Sequence, residues 1–282
     1  MTILLLGAGP RLAWVRSILE TLCAPAGAPS EIGAEIGAEI VVVEGRPTRE
    51  LLVSLSERPI DALVLVDHFP FADGAVPEAA ALVEAVRGEA QRACLALELS
   101  RRAARTLSLS GDAEDWVNVL TTLLAVPLSA EPPAPCPPTA GPGTSLATPL
   151  LHTYLEPLFA APGQVPIGLA PPLGLAWPRE AFLDGDAPGE TLPATVEVAG
   201  RARILAYGPY LPLPAGDWHA TAFLGFSPDI GRLPFILEAD TGGVDFQVGD
   251  ALHPVELRLI SQDSALEGQL ALIEVELKQV PA

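Results

Sequence analysis

Lysine is nearly absent from this chain of 282 residues, in which Lys278 is the only one and arginines supply the other basic side chains. The 16 basic residues stand against 35 acidic ones, which gives a formal net charge of -19 at pH 7. Acidic residues prevail both up to Val126 and beyond it. Because such a chain repels phosphate backbones and anionic lipids, we expect neither a nucleic-acid partner nor a membrane-surface role.

Long hydrophobic runs are missing as well, although 49% of the residues are hydrophobic and the mean hydropathy is +0.36. The longest runs, such as 62–66 and 123–126, fall far short of the roughly 20 residues that span a bilayer. The apolar run at 3–6 follows no basic region and ends in glycines, so we interpret it as a strand rather than a signal peptide. The sequence therefore predicts a soluble protein without membrane insertion.

Cysteine is scarce, and its three positions suggest no pairing. Cys23, Cys94 and Cys136 are an odd number of widely spaced residues, with no Cys-x-x-Cys pair among them. Neither a zinc knuckle nor a disulfide framework is indicated. A reducing cytoplasm is the expected location.

Complete catalytic motifs are also missing from the sequence. It holds no Gly-x-Ser-x-Gly elbow, no Walker A loop and no Tyr-x-x-x-Lys pair. The four histidines are scattered without metal-ligand spacing, and only Asp67-His68 ends a predicted strand, where sites of α/β proteins form. The pattern favours a protein that is not an enzyme.

The N-terminal part, residues 1–126, alternates between short apolar strands and amphipathic helices. Continuous apolar runs predict parallel strands buried on both faces, at Thr2–Leu6, Glu39–Val43, Ala62–Asp67 and Ala93–Leu99. Helical patterns begin at Pro10, Pro77 and Asp112, the first with Leu12, Val15, Leu19 and Leu22 on one face. This alternation predicts a Rossmann-like α/β domain.

The C-terminal part, residues 150–282, follows a proline-rich segment at 127–149 that we interpret as a semi-rigid linker. Beyond it, short strands separated by Gly, Pro and Asp turns predict an antiparallel β-sandwich or jelly roll. The strands are expected at Ala194–Val198, Arg201–Tyr207, Trp218–Phe226, Pro234–Ala239, Val244–Val248, Val255–Ile260 and Gln269–Lys278. The hydrophobic phase slips inside the last strand, which predicts a β-bulge near Leu272.

A glycine turn after the first strand resembles a dinucleotide fingerprint. Gly7 and Gly9 stand where backbone approaches a pyrophosphate, and Glu44 ends the second strand, where an acid binds the ribose. Against this reading, Leu12 takes the third glycine position and Pro10 lacks one of the N–H groups that would bind phosphate. The alternative is a Rossmann-like scaffold that keeps only the tight turn, so NAD or a nucleotide-sugar remains a candidate ligand.

Asp184-Gly185-Asp186 forms an Asp-x-Asp pattern. Many glycosyltransferases hold a divalent metal and a nucleotide-sugar phosphate with such a pair, because hard cations prefer carboxylates. The motif lies outside the α/β part and beside Pro188 and Gly189, which favours a simple turn. A structural calcium site is a third reading.

The most distinctive segment, residues 207–218, reads Tyr-Gly-Pro-Tyr-Leu-Pro-Leu-Pro-Ala-Gly-Asp-Trp. Here the chain, from roughly Trp177 onward, resembles β-sandwich modules found with bacterial glycosyltransferases and cell-surface polysaccharide proteins, and the galactose-binding-like jelly rolls. The resemblance implies carbohydrate binding by exposed aromatic rings that stack on pyranose faces, with Tyr207, Tyr210 and Trp218 as candidates. The alternative is that Trp218 belongs to the core and that the prolines rigidify a loop.

Three classes of function stay open from the sequence. The leading hypothesis is an accessory protein of bacterial glycan or cell-surface assembly, whose β domain recognises a carbohydrate or a protein partner without a cofactor. The rival is an enzyme, either a nucleotide-sugar-dependent transferase or an NAD-binding oxidoreductase that uses Gly7, Gly9 and Glu44. A structural subunit that forms a homo-oligomer is the third.

Overall fold

The computed structural model describes the chain in eleven stretches: residues 1–7, 9–23, 39–44, 49–56, 58–66, 79–109, 116–124, 149–160, 172–230, 232–240 and 242–281. It divides into two compact units, Met1–Val76 with Ala96–Ser145, and Pro77–Leu95 with Leu146–Ala282. Of the linker predicted at 127–149, residues 127–148 lie outside the described part of the chain. The segment Pro77–Leu95, predicted within the N-terminal domain, clusters with the second unit.

The first unit contains a four-stranded parallel sheet, which confirms the α/β prediction in its coarse form. Its strands lie in the order β2-β1-β3-β4. Their bounds are Thr2–Gly7 for β1, Glu39–Glu44 for β2, Ala62–Val66 for β3 and Thr106–Leu109 for β4. The helices of this part of the chain are α1 (Gly9–Cys23), α2 (Arg49–Ser56), α3 (Ala79–Ser100) and α4 (Trp116–Leu124), and α3 belongs to the second unit as far as Leu95. None of these described helices is long and apolar enough to cross a membrane.

The central strands of this sheet are continuous apolar runs in the sequence because they are buried along almost their whole length. Every residue of β3 is buried, and so are residues 3–7 of β1, as expected for parallel strands that are covered on both faces. On one face α1 and α4 complete a core with the strands. The helical stripe predicted for α1 is confirmed at Leu12, Val15 and Leu19, which are at most 1% exposed.

The predicted strand Ala93–Leu99 is wrong, because these residues form the end of α3. The apolar run is buried on most sides of the helix, and a short buried run cannot be told from a strand by periodicity alone. The fourth strand is β4, which follows that helix. The helix starts that we predicted at Pro77 and Asp112 lie outside the described residues. The description of α3 begins at Ala79 and that of α4 at Trp116.

The second unit contains two antiparallel sheets, with strand orders β10-β12-β8-β6 and β11-β9-β13-β5; β7 also pairs with β13. The strand bounds are Gly174–Pro178 for β5, Leu183–Asp184 for β6, Val196–Glu197 for β7, Arg203–Pro212 for β8, Gly216–Phe226 for β9, Phe235–Ala239 for β10, Asp245–Val248 for β11, Pro254–Ser261 for β12 and Gln269–Val280 for β13. All seven strands predicted for this part are present. The β-bulge predicted near Leu272 is confirmed, since the pairing of β13 with β9 shifts between Leu272 and Glu274.

Short helical segments accompany these sheets. A π-helical turn at Leu151–Leu155 leads into α5 (Glu156–Ala160), and a single 3-10 turn spans Arg179–Ala181. Tyr154 is fully buried and its ring packs edge-on against Trp177, with ring centroids 6.0 Å apart. The aromatic core of the second unit therefore includes residues that precede its strands.

Candidate functional site

A pair of tyrosines lies on the partly exposed face of the sheet β10-β12-β8-β6. The rings of Tyr207 and Tyr210 meet edge to face, with centroids 6.3 Å apart. Both side chains are half-buried, and the Tyr207 hydroxyl accepts a hydrogen bond of 3.2 Å from the Gly189 N–H. Aromatic pairs in this arrangement stabilise each other through their ring quadrupoles.

A β-bulge at Tyr210 brings the two rings together. On β12, Val255 pairs with Leu211 and Glu256 pairs with Pro209, so Tyr210 is an extra residue without a partner. Its φ of 60° is in the left-handed region, which a bulky side chain rarely adopts. Residues three apart in a regular strand point to opposite faces, and the bulge reverses that alternation.

Charged side chains surround the tyrosines on the neighbouring strands. In register, Glu238 of β10 lies beside Arg258 of β12, and Arg258 lies beside Tyr207 of β8. Arg258 donates from Nε to Glu256 Oε1 at 2.9 Å and from Nη2 to Glu256 Oε2 at 3.2 Å. We call these five residues, Tyr207, Tyr210, Glu238, Glu256 and Arg258, the tyrosine surface.

Glu256 shapes the electrostatics of the tyrosine surface. Partial burial raises the pKa of Tyr210, and the charge of Glu256 and its hydrogen bond with the phenol raise it further. The same carboxylate, as hydrogen-bond acceptor and counter-charge, raises the pKa of Arg258. Tyr210 is therefore a neutral donor and Arg258 a cation at physiological pH.

Two side chains from helical segments of the same unit bond to backbone carbonyls of β8, the strand that carries the tyrosines. Arg87 of α3 donates from Nε to the Tyr210 carbonyl at 2.7 Å, and its guanidinium also pairs with Glu84. The buried Tyr154 hydroxyl donates to the Pro212 carbonyl. These bonds satisfy carbonyls around the bulge and fix the backbone beneath the rings.

Tyr154→Phe is expected to lower the free energy of unfolding by about 1–3 kcal/mol, because it leaves the Pro212 carbonyl buried and unsatisfied. Burial raises the pKa of Tyr154 well above its usual value. Its contribution is therefore complete below about pH 10, the ordinary tyrosine pKa, and is lost as pH rises through the raised value. Denaturant unfolding of both proteins at neutral pH and above pH 10 measures the loss. Equal stability at neutral pH would contradict the role of this bond.

Trp218 does not belong to the tyrosine surface. The indole is fully buried, and its Nε1 donates to the Pro214 carbonyl at 2.9 Å. A ring without exposed surface cannot stack on a saccharide. We therefore correct the expected binding role of Trp218: it is a core residue of the second unit.

The Asp-x-Asp residues form a turn and an ion pair. The Asp184 carboxylate accepts the Asp186 N–H at 2.8 Å. Arg203 occupies both oxygens of Asp186, donating from Nε at 2.8 Å and from Nη2 at 3.0 Å. In the part of the chain that the structure describes, no group of three or more His, Cys, Asp or Glu residues could hold a metal ion. This geometry favours the turn reading of the motif.

The three residues of the glycine turn lie at the carboxyl end of the parallel sheet. Gly7 pairs with Glu44 in register, and Gly9 begins α1. A Cβ at Gly7 would lie 2.5 Å from the Val66 carbonyl oxygen, so close strand packing alone requires this glycine. Asp67 and His68, which the sequence also offered as candidates, lie outside the described residues.

Each histidine of the described residues lies near a carboxylate. His152 Nδ1 lies 2.9 Å from the Glu156 carboxylate, and His219 Nδ1 lies 2.6 Å from that of Asp245. His253 Nε2 lies 3.9 Å from the Asp240 carboxylate. All three side chains are at least 43% exposed, and each has a different carboxylate beside it. They provide pairwise contacts and no shared centre.

Sequence reasoning missed Glu238, Glu256, Arg258 and Arg87 as parts of the candidate site. The alternation of Val255–Leu259 did place Glu256 and Arg258 on the wet face of a strand. No signal in the sequence indicates that this strand pairs with the one that carries the tyrosines.

Comparison with known proteins returns no match of any kind: no family model, no curated protein and no solved structure matches the chain.

Proposed function

We propose that the second unit binds a saccharide at the tyrosine surface. The observation that carries this proposal is the bulge that brings the rings of Tyr207 and Tyr210 onto one partly exposed face. Pyranose rings present C–H groups that pack on the faces of aromatic rings, and hydroxyls that need hydrogen-bond partners. Glu256, Arg258 and the phenol of Tyr210 supply such partners next to the rings.

Rigidity of the surface favours binding. The left-handed backbone conformation of Tyr210 is strained. A strained backbone of this kind is kept only where the surrounding structure holds it in place, and such positions are common at functional sites. Arg87 holds the Tyr210 carbonyl and Glu256 holds the phenol, so both ends of this residue are fixed. A saccharide would meet a preformed surface and would not have to order it on binding.

We further infer that the two antiparallel sheets pack as a β-sandwich of the jelly-roll kind and that the first unit is Rossmann-like. Alternating burial along β12 and the buried rings of Trp177 and Trp218 support the sandwich. In this proposal the protein is a non-enzymatic accessory of bacterial glycan or cell-surface assembly. The resemblance of the 207–218 segment to carbohydrate-binding modules motivates that class.

Calorimetric titration of the full chain with a panel of neutral and amino oligosaccharides tests the proposal. Tyr207→Leu is expected to weaken the saccharide that binds best by about tenfold, or about 1.4 kcal/mol, because leucine keeps apolar bulk without a flat ring.

The matched control for this titration is Phe223→Leu, which removes a 41% exposed ring from β9 in the other antiparallel sheet. It is expected to leave affinity unchanged. If no saccharide binds, or if both variants weaken binding equally, the proposal fails.

A nucleotide ligand is the second candidate, favoured by the juxtaposition of Gly7 and Glu44 at the ends of β1 and β2. This is the edge at which α/β sheets bind ligands. Thermal shifts with NAD and with nucleotide-sugars test it, and a shift that Glu44→Gln abolishes would support a nucleotide-dependent enzyme.

A further inference from the structure

Resting on the proposed function, we propose that the tyrosine surface accepts uncharged or amino-bearing saccharides and rejects those built from uronic acids. The ligand charge that this surface accepts depends on which charged groups beside the tyrosines already have partners in the protein.

The arginines beside the tyrosines are already engaged. Arg258 directs two of its N–H groups to one carboxylate, that of Glu256. Arg87 bonds the Tyr210 carbonyl and pairs with Glu84. A ligand carboxylate that took over Nε and Nη2 of Arg258 would have to displace Glu256, which would leave a largely buried carboxylate without its partner.

Carboxylates outnumber cations on this face. Glu238 lies across from Arg258 on β10, and Glu256 lies two residues before Arg258 on β12, so two carboxylates stand beside one guanidinium. The net charge beside the rings is therefore negative, although the cation of Arg258 lies next to Tyr207. An anionic saccharide would be repelled, whereas a neutral one would not be affected.

Glu238 is the group best placed to recognise an amine. Its charge contributes to the raised pKa of Arg258, the residue across from it on β12, but the two groups form no direct ion pair within 4 Å in the described part of the chain. Two strand spacings, about 10 Å, separate its backbone from that of Tyr207. A saccharide on the ring could thus place an ammonium group at this carboxylate in a charge-assisted hydrogen bond.

Titration of the full chain with three tetrasaccharides of the same linkage tests the inference: cellotetraose, chitosan tetraose and the matching glucuronate tetramer. At low salt the glucosamine form is expected to bind about threefold to fivefold more tightly than cellotetraose. The glucuronate form is expected to bind at least about fivefold more weakly. Added salt should reduce both differences.

Glu238→Gln is expected to bring the affinities for the glucosamine and glucose forms within about twofold of each other, while binding of cellotetraose is retained. The control Glu274→Gln makes the same change of charge on β13, in the other antiparallel sheet, and should leave the preference for the amine intact.

The outcomes separate this inference from the proposed function. If Tyr207→Leu weakens binding but the glucuronate form binds as tightly as cellotetraose, or if Glu238→Gln leaves the amine preference unchanged, the inference is overturned and saccharide binding stands. If no saccharide binds, neither these three nor any of the wider panel, both are overturned.

Discussion

Trp218→Ala is expected to lower the free energy of unfolding by about 3–5 kcal/mol, the range for truncating a buried large aromatic side chain. The indole has no exposed surface, and its loss leaves a cavity and an unpaired Pro214 carbonyl. Denaturant unfolding measures the change. A ring that served only to stack on a ligand would give no change in stability, and that result would contradict the core assignment.

Phe223→Ala is the matched control for this prediction, since it removes an aromatic ring from the same strand. With 41% of its surface exposed, Phe223 loses much less burial than Trp218. We expect a loss below about 1 kcal/mol. A second variant, Trp218→Phe, keeps most of the apolar volume and is expected to fold and to retain saccharide binding.

Gly7→Ala is expected to destabilise the first unit by about 1–3 kcal/mol, the usual cost of overpacking. The added Cβ would lie 2.5 Å from the Val66 carbonyl oxygen and 3.2 Å from Leu12 Cδ1. Because the nearer atom belongs to the backbone of β3, it cannot rotate away. Thermal unfolding without added nucleotide measures the loss.

Gly88→Ala is the control for the glycine prediction, and its expected effect has the opposite sign. A Cβ at Gly88 meets nothing within 4 Å, and the residue lies inside α3. Alanine there is expected to stabilise the protein by about 0.5–1 kcal/mol. If Gly7→Ala left stability unchanged and only weakened nucleotide binding, the packing explanation of this glycine would be wrong.

Much of the fold could be predicted from the sequence because burial follows secondary-structure periods. The alternation of β12 and the phase slip in β13 located the strands and even the bulge near Leu272. The prediction failed at Ala93–Leu99, where a helix buried on most sides loses its polar stripe and reads like a strand.

The candidate site was only partly predictable, since it depends on strand pairing across long separations. The Tyr207 and Tyr210 pair was predicted as a binding site, which stays a prediction. In a regular strand, however, residues three apart face opposite ways, and the bulge at Tyr210 is visible only once β8 pairs with β12. The same pairing brings Glu256 and Arg258 to the rings, about fifty residues along the chain from them.

Contact of Tyr207 and Tyr210 with a saccharide can be tested directly, because the chain contains few tyrosines. The chain has three tyrosines, and the third, Tyr154, is fully buried. A protein with isotope-labelled tyrosine rings therefore gives three assignable sets of NMR signals. On titration with cellotetraose or chitosan tetraose, we expect the signals of Tyr207 and Tyr210 to shift in a saturable manner while those of Tyr154 stay in place. Signals of Tyr207 and Tyr210 that do not move at saturating saccharide would contradict the account.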